Sequence, residues 1–253
     1  MGKRFANRVV VITGAGGGLG QTSAKMFAAE GAELVLIDIN EAGLKETAAM
    51  VEAEGANCSL HVFDLAEEQA VQEHGAAICE QYPAIDVLFN NAGAAYGEVN
   101  LMIDQMDQEK WLKYISINSL APLFVAKALR PSLARAKGVI LNQSSMASFA
   151  PANVYGVTKS MLNSLTYGMA NVFAGDGIRV NAIAPGIMET PANKAGLPEE
   201  TYKRVQGMQL VDLHGTAEDI ANLALFLASD EGRFINCEIV SCDAGNRLRP
   251  WRG

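Results

Sequence analysis

A doubly wound parallel α/β sheet in a single domain is the fold class this sequence predicts. Three observations carry the prediction. Short β-branched runs alternate with helix-length segments along the whole chain, and most of the runs end at glycines or at carboxylate and amide side chains. Nothing between them reads as a linker, because Pro, Gly and Ser are dispersed and no charge run is long. The 253 residues, 49% apolar and 19% charged, also supply a sizeable core.

Val9-Val10-Val11-Ile12 opens the series as a strand buried on both faces and stopped by glycines. A helix is expected from Leu19 to Glu30, ended by Gly31, and a second strand from Leu34 to Ile37, closing at Asp38. The alternation continues with helix 41–54, a strand near 58–63, helix 67–82 and strand 85–89. A long helix follows over about 108–136, then strand 138–142, helix 154–174 and strand 178–183. Segment 190–212 is irregular, with Pro191, Gly196, Pro198 and Gly207, and reads as a lid over the substrate. Helix 216–229 and a short strand near 238–241 finish the chain. About seven strands joined by helical crossovers make a Rossmann-type parallel sheet with helices on both faces. Ligands of such sheets bind beyond the carboxyl ends of the strands.

The residues at those ends carry the chemistry. Thr13-Gly14-Ala15-Gly16-Gly17-Gly18-Leu19-Gly20 joins the first strand to the first helix. Its glycines allow a sharp turn and a close approach to a pyrophosphate, and the helix N-terminus offers free N–H groups. Asp38, eighteen residues beyond Gly20, suits a ribose 2′-OH and repels a 2′-phosphate, with no Lys or Arg in the loop or just after it. The cofactor read from these residues is therefore NAD rather than NADP. Asp38 could instead serve as an N-cap for the next helix. Asp64-Leu65, after the third strand, is placed to accept from an adenine amino group.

Tyr155 and Lys159 stand four apart in Tyr155-Gly156-Val157-Thr158-Lys159, so a helix puts them on one face. A phenol is a poor acid/base at neutral pH until a positive charge stabilises its phenolate, and an ammonium one turn away is such a charge.

Taken with that pair, Thr13-Gly14-x-x-x-Gly18-x-Gly20, Asp64, Asn90-Asn91-Ala92-Gly93, Asn118, Ser144-Ser145 and Pro185-Gly186-x-x-x-Thr190 resemble the short-chain dehydrogenase/reductase family, classical type, over essentially the whole chain. The resemblance implies a catalytic set of Asn118, Ser145, Tyr155 and Lys159. Tyr155 would exchange the proton and Ser145 would hold the substrate oxygen. Lys159 would lower the phenol pKa and hold the nicotinamide ribose, and Asn118 would anchor a water leading to Lys159. It also implies cofactor contacts from Gly14, Gly18, Leu19, Gly20, Asp38, Asp64, Leu65, Asn91, Ala92, Gly93, Pro185, Gly186, Met188 and Thr190. The implied activity is hydride transfer between NAD and a secondary alcohol or ketone.

Departures from the family pattern are local. The gap from Ser145 to Tyr155 is ten residues, shorter than in most members. Counting from Gly138 keeps the role on Ser145 and puts the shortening in Ser148 to Asn153. Asp243-Ala244-Gly245 replaces the usual Asp-Gly-Gly, and Cys237 sits where glycine is common. The expected pocket is apolar, with Tyr96, Met146, Phe149, Met188, Leu197, Met208 and Leu210, and favours a hydrophobic alicyclic or aromatic alcohol.

Composition narrows the partners. A net charge of −8 without a basic cluster disfavours nucleic acid, and Arg130, Arg135 and Lys137 fit a helix C-terminus. Cys58, Cys79, Cys237 and Cys242 make no CxxC pair and read as reduced, and three scattered histidines show no metal spacing. No apolar run makes a signal peptide or the ~18 residues of a membrane span, so a soluble, cytoplasmic protein is expected. The family resemblance implies a homotetramer built on helices 108–136 and 154–174, whose Leu123, Phe124, Val125, Leu162, Leu165 and Met169 exceed what one sheet face needs. The competing readings are a 3-oxoacyl-thioester reductase, disfavoured by Asp38 and the acidic surface, and a non-catalytic dinucleotide sensor, disfavoured by the intact Tyr155–Lys159 pair.

Overall fold

The computed structural model describes residues 3–190 and 196–247. Its strands are β1 (Val9–Thr13), β2 (Glu33–Asp38), β3 (Cys58–Val62), β4 (Val87–Asn90), β5 (Val139–Gln143), β6 (Arg179–Pro185) and β7 (Ile239–Cys242). All pair in parallel, in the order β3-β2-β1-β4-β5-β6-β7. The helices are α1 (Gly18–Ala29), α2 (Glu41–Ala53), α3 (Glu68–Gln81), α4 (Gln108–Ile115), α5 (Ala121–Ala136), α6 (Val154–Phe173), α7 (Glu199–Gln206) and α8 (Ala217–Ala228).

Alternation along each strand assigns its side chains to two cores. Val10, Ile12, Leu34, Leu36, Val87, Phe89 and Leu141 pack with Phe27 of α1, Leu44 of α2 and Ile220 of α8. Their neighbours Val11, Val35, Ile37, Leu88, Ile140 and Val180 pack with Ile78 of α3, Leu129 of α5 and Met169 of α6. Both faces are therefore dry, which is why these strands are nearly all apolar.

Three expectations need correction, and the alternative reading of Asp38 as an N-cap falls. The long helix over 108–136 is broken by a π-turn at Ser116–Leu120, where the Ala121 N–H reaches five residues back to Ser116 O. Segment 190–212 is not irregular throughout: it contains α7, while residues 191–195, including Pro191, lie outside the described residues. Asp38 does not cap α2; Asn40 does, its side chain accepting from Gly43 N at 3.2 Å. Of the apolar side chains assigned to assembly, Val125, Leu162 and Met169 are buried within the chain, and Leu123, Phe124 and Leu165 pack against its core.

Among the described residues no helix is long and apolar enough to cross a membrane.

Candidate active site

Strand order reverses between β1, which leads outward to β2, and β4, which leads the other way to β5. The crossovers on either side of that point leave on opposite faces, and a crevice opens beyond the strand ends. Here it is a cleft of about 850 Å³ that runs from the loop after β1 to the inner side of α7.

One half of the cleft is shaped for a dinucleotide. Gly14 has φ +65°, and a Cβ there would lie 2.7 Å from Ala92 Cα; a Cβ at Gly20 would overlap Gly14 O. The loop thus folds flat against Asn91-Ala92-Gly93. Thr13 Oγ1 accepts from Asn91 N and Ala92 N, both at 3.1 Å, while Asn91 Nδ2 donates to Thr13 O at 3.1 Å and Gly14 O at 3.0 Å. By contrast a Cβ at Gly17 or Gly18 would meet nothing within 4 Å. Helix α1 has no side-chain cap and no acid in its first turn, so its N–H groups face the cleft unclaimed by side chains. That is the donor set an anionic pyrophosphate requires. Gly18 and Leu19 border the cleft, whereas Gly20 stands behind, packing the helix on the loop.

Asp38 closes this half. Its Oδ2 accepts from Gly16 N at 2.8 Å and its Oδ1 from Asn40 N at 2.9 Å, which pins the carboxylate at the cleft edge. Each oxygen keeps a further lone pair for a ribose hydroxyl. Its neighbours along the cleft are Ile39 and Asn40, and among the described residues no cation lines the cleft between them and the glycine loop. Asp64 and Leu65 line the same end, Asp64 Oδ1 accepting from Ala66 N at 2.8 Å.

The other half gathers the hydroxyl and ammonium groups. Asn153 caps α6 by accepting from Gly156 N at 2.9 Å, and the next turn puts Tyr155 and Lys159 into the cleft. Lys159 Nζ lies 5.8 Å from the Tyr155 ring centroid and donates to Gln143 O at 2.7 Å. Ser145 Oγ accepts from Ala147 N at 3.2 Å and lies beside the Tyr155 hydroxyl, whose pKa it lowers. Ser144 points elsewhere, donating to Asn163 Oδ1 at 2.6 Å. The short connection to Tyr155 is taken up by a 3-10 turn at Met146–Phe149, tied by Ser148 Oγ donating to Ser145 O at 2.6 Å.

Asn118 does not itself border the cleft. The π-turn sets it behind Gly93, where a Cβ would be 3.0 Å from Asn118 Oδ1 and 3.3 Å from Lys159 Nζ. Its amide accepts from Ala94 N at 2.8 Å and donates to Ala94 O at 3.0 Å and Thr158 Oγ1 at 3.1 Å. The side chain is therefore committed to holding the Gly93 segment against α6.

Burial dominates both titrating groups. It pushes the Tyr155 phenol up to about 12; the Ser145 hydroxyl opposes that rise and the Tyr96 phenol adds to it. Burial also pulls the Lys159 ammonium down to about 8. Burial, rather than the neighbouring ammonium, thus sets the Tyr155 pKa in the free protein.

The cleft is completed by Pro185 at the end of β6, by Gly186, Met188 and Thr190 after it, and by Tyr96, Met146 and Leu197. Tyr96 hydrogen-bonds Thr190, and its ring lies flat against Gly196. Phe149, Met208 and Leu210 do not border the cleft. The 3-10 turn carries Phe149 to the surface, where the Arg247 guanidinium sits 4.7 Å from its ring centroid. Leu210 packs on Gly245, and Met208 follows the end of α7. Residues the sequence reading missed include Asn100, Gln143, Asn153, Thr201, Arg204 and Val205. The 201, 204, 205 spacing is that of one helical face, a signal hidden by the prolines and glycines around it.

A family model described as Enoyl-(Acyl carrier protein) reductase matches residues 14–247. The chain is 32% identical over 245 residues to meso-2,3-butanediol dehydrogenase of Serratia marcescens, covering 96% of this chain and 95% of that one. It is 32% identical over 249 residues to cis-4-hydroxycyclohexanecarboxylate dehydrogenase of Sinomonas cyclohexanicum, covering 97% and 98%. Carveol dehydrogenase from Mycobacterium avium, solved in complex with NAD, superposes with a TM-score of 0.88 at 26% identity, covering 97% of this chain and 99% of that one.

Proposed function

The chain belongs to the short-chain dehydrogenase/reductase family of oxidoreductases, and from that membership we propose that it is an NAD-dependent dehydrogenase of a hydrophobic alicyclic or aromatic secondary alcohol, reversible to the ketone. The observation that carries the reading is the meeting of Ser145, Tyr155 and Lys159 at one end of a cleft whose other end offers Asp38 and an uncapped helix.

When bound, a nicotinamide would supply the hydride acceptor or donor and, in its oxidised form, a positive charge. The chain's own groups do the rest. Ser145 orients the substrate oxygen. The Tyr155 phenol takes the hydroxyl proton during oxidation and returns it during reduction. Its high intrinsic pKa makes it a reluctant acid, so the positive charges of the ring and of Lys159 are what bring it into range. Lys159 would hold the nicotinamide ribose and pass the proton on, while Asn118 keeps Lys159 and the Gly93 segment in register. Met188 and Thr190 would take the carboxamide. Named relatives that act on butanediol and on a hydroxycyclohexanecarboxylate support a small alcohol substrate. In the cell the protein is proposed to work as a cytoplasmic homotetramer, with no nucleic-acid or membrane partner.

Nicotinamide absorbance with a panel of alicyclic and aromatic alcohols and ketones tests the proposal. Turnover with kcat/KM strongly favouring NAD is expected. Equal or better use of NADP removes the Asp38 assignment, and no turnover across the panel favours the non-catalytic sensor.

A further inference from the structure

The substrate end of the cleft contains a cation that the chemistry above does not use. Helix α7 is fastened at both ends: Gly196, just before it, lies flat on the Tyr96 ring, and Asn246, buried, donates from Nδ2 to Val205 O at 2.6 Å. This fixes which face looks inward, and that face carries Thr201, Arg204 and Val205. The outward face carries Lys203, paired with Glu199 at 2.6 Å. Lys203 already complements the helix C-terminus, so the dipole does not require a second, inward cation.

Arg204 has no carboxylate within ion-pair distance among the described residues, although Glu200 stands one turn before it. The two carboxylates lining the cleft, Asp38 and Asp64, follow β2 and β3 at the dinucleotide end. The other cation lining it, Lys159, is tied to Gln143 O. The apolar lining of the cleft includes Tyr96, Met146, Met188, Leu197 and Val205, and Arg204, exposed at its rim, also borders an open surface groove with Glu199, Glu200 and Lys203. A guanidinium in such a setting binds a carboxylate through paired, charge-assisted hydrogen bonds.

Resting on the alcohol dehydrogenase reading, we propose that Arg204 is an anion subsite and that the substrate is a ring alcohol bearing a carboxylate remote from its hydroxyl. Ser145 and Tyr155 hold the reacting oxygen, the apolar walls hold the ring, and Arg204 holds the acid. The site thereby selects hydroxy acids over neutral alcohols of the same shape.

The test compares 4-hydroxycyclohexanecarboxylate with its neutral carboxamide as substrates of the NAD-loaded enzyme. Calorimetry runs alongside, with cyclohexanecarboxylate and cyclohexanecarboxamide titrated into the NAD complex. For wild type, kcat/KM and affinity should favour the carboxylate by about tenfold, the lower end for a hydrogen-bonded charge because Arg204 is exposed. Arg204→Gln should bring both ratios close to one while NAD affinity holds, and Arg204→Lys should keep part of the preference. Equal use and equal binding of the two compounds by wild type overturn the subsite while leaving the dehydrogenase intact. Weaker NAD binding by Arg204→Gln with an unchanged preference overturns it too, placing the guanidinium on the cofactor. If neither alcohol is oxidised, the dehydrogenase reading falls, and the calorimetric ratio alone then upholds or rejects the anion subsite.

Discussion

Ser144 and Ser145 show how much a single pleat decides. Successive side chains of extended backbone point to opposite sides, and here one hydroxyl lies beside Tyr155 while the other is spent on Asn163. Ser145→Ala should lower kcat about 10²-fold, roughly 3 kcal/mol of transition-state stabilisation, with NAD binding retained. Ser144→Ala should keep most activity, and the reverse ranking in steady-state assays would move the role to Ser144. Tyr155→Phe should cost at least as much as Ser145→Ala. Lys159 offers a test in the free protein. Folding lowers its pKa from 10.5 to about 8, so between those values the unfolded chain holds a proton the folded chain has released. Stability must then rise with pH in that window, by at most about 3 kcal/mol from this group. Denaturant midpoints at pH 8 and pH 10 should show a gain in wild type, relative to Lys159→Met, in which the other titrating groups are unchanged. Parallel pH dependence in the two proteins would contradict the buried, depressed ammonium. The spacing of Tyr155 and Lys159 was readable in the chain, but the desolvation that shifts both groups was not, because it depends on what covers them.

The junction of β1 with α1 was the most legible element, since a β-branched run, a glycine loop and a helix follow directly in the chain. Its glycines are not equivalent, however. At Gly20 a methyl group overlaps Gly14 O and crowds Asn91 Nδ2, whereas at Gly17 it meets open space. Gly20→Ala should cost about 1–3 kcal/mol by overpacking, lowering Tm by about 2–4 °C for each kcal/mol. Gly17→Ala should melt close to wild type, and thermal denaturation of the pair decides the matter. The π-turn around Asn118 was not legible. One inserted residue shifts the phase of the apolar stripe but leaves its period unchanged within α4 and within α5, so the chain reads as one helix. Helix α7 was missed for a related reason: its face is short and only partly apolar, and it is held by Tyr96 and Asn246, which are remote in sequence.

Assembly and topology belong to the whole molecule. The apolar positions first assigned to subunit contacts are largely consumed by the chain's own core. What α6 leaves outside is Tyr167 and Val172, the latter 62% exposed. Light scattering at micromolar concentration should give four times the 26.9 kDa of one chain, and Val172→Asp should give a smaller assembly with unchanged circular dichroism. A monomeric wild type would refute the tetramer. The sheet itself was foreseeable, because parallel strands buried on both faces must be apolar throughout and must be joined by helices. Those are local consequences of pattern, and so is the chemistry at the strand ends: glycines where backbone must approach a phosphate, Asp38 after the second strand, Tyr155 one turn from Lys159. Other features depend on which distant segments come to lie together. The order of the strands, and hence the crevice between β1 and β4, is one. The retreat of Phe149, Met208 and Leu210 from the cleft is another, as is the arrival of Arg204 in their place. A side chain's type and period are written along the chain, but the surface it meets is set by packing between residues far apart in sequence.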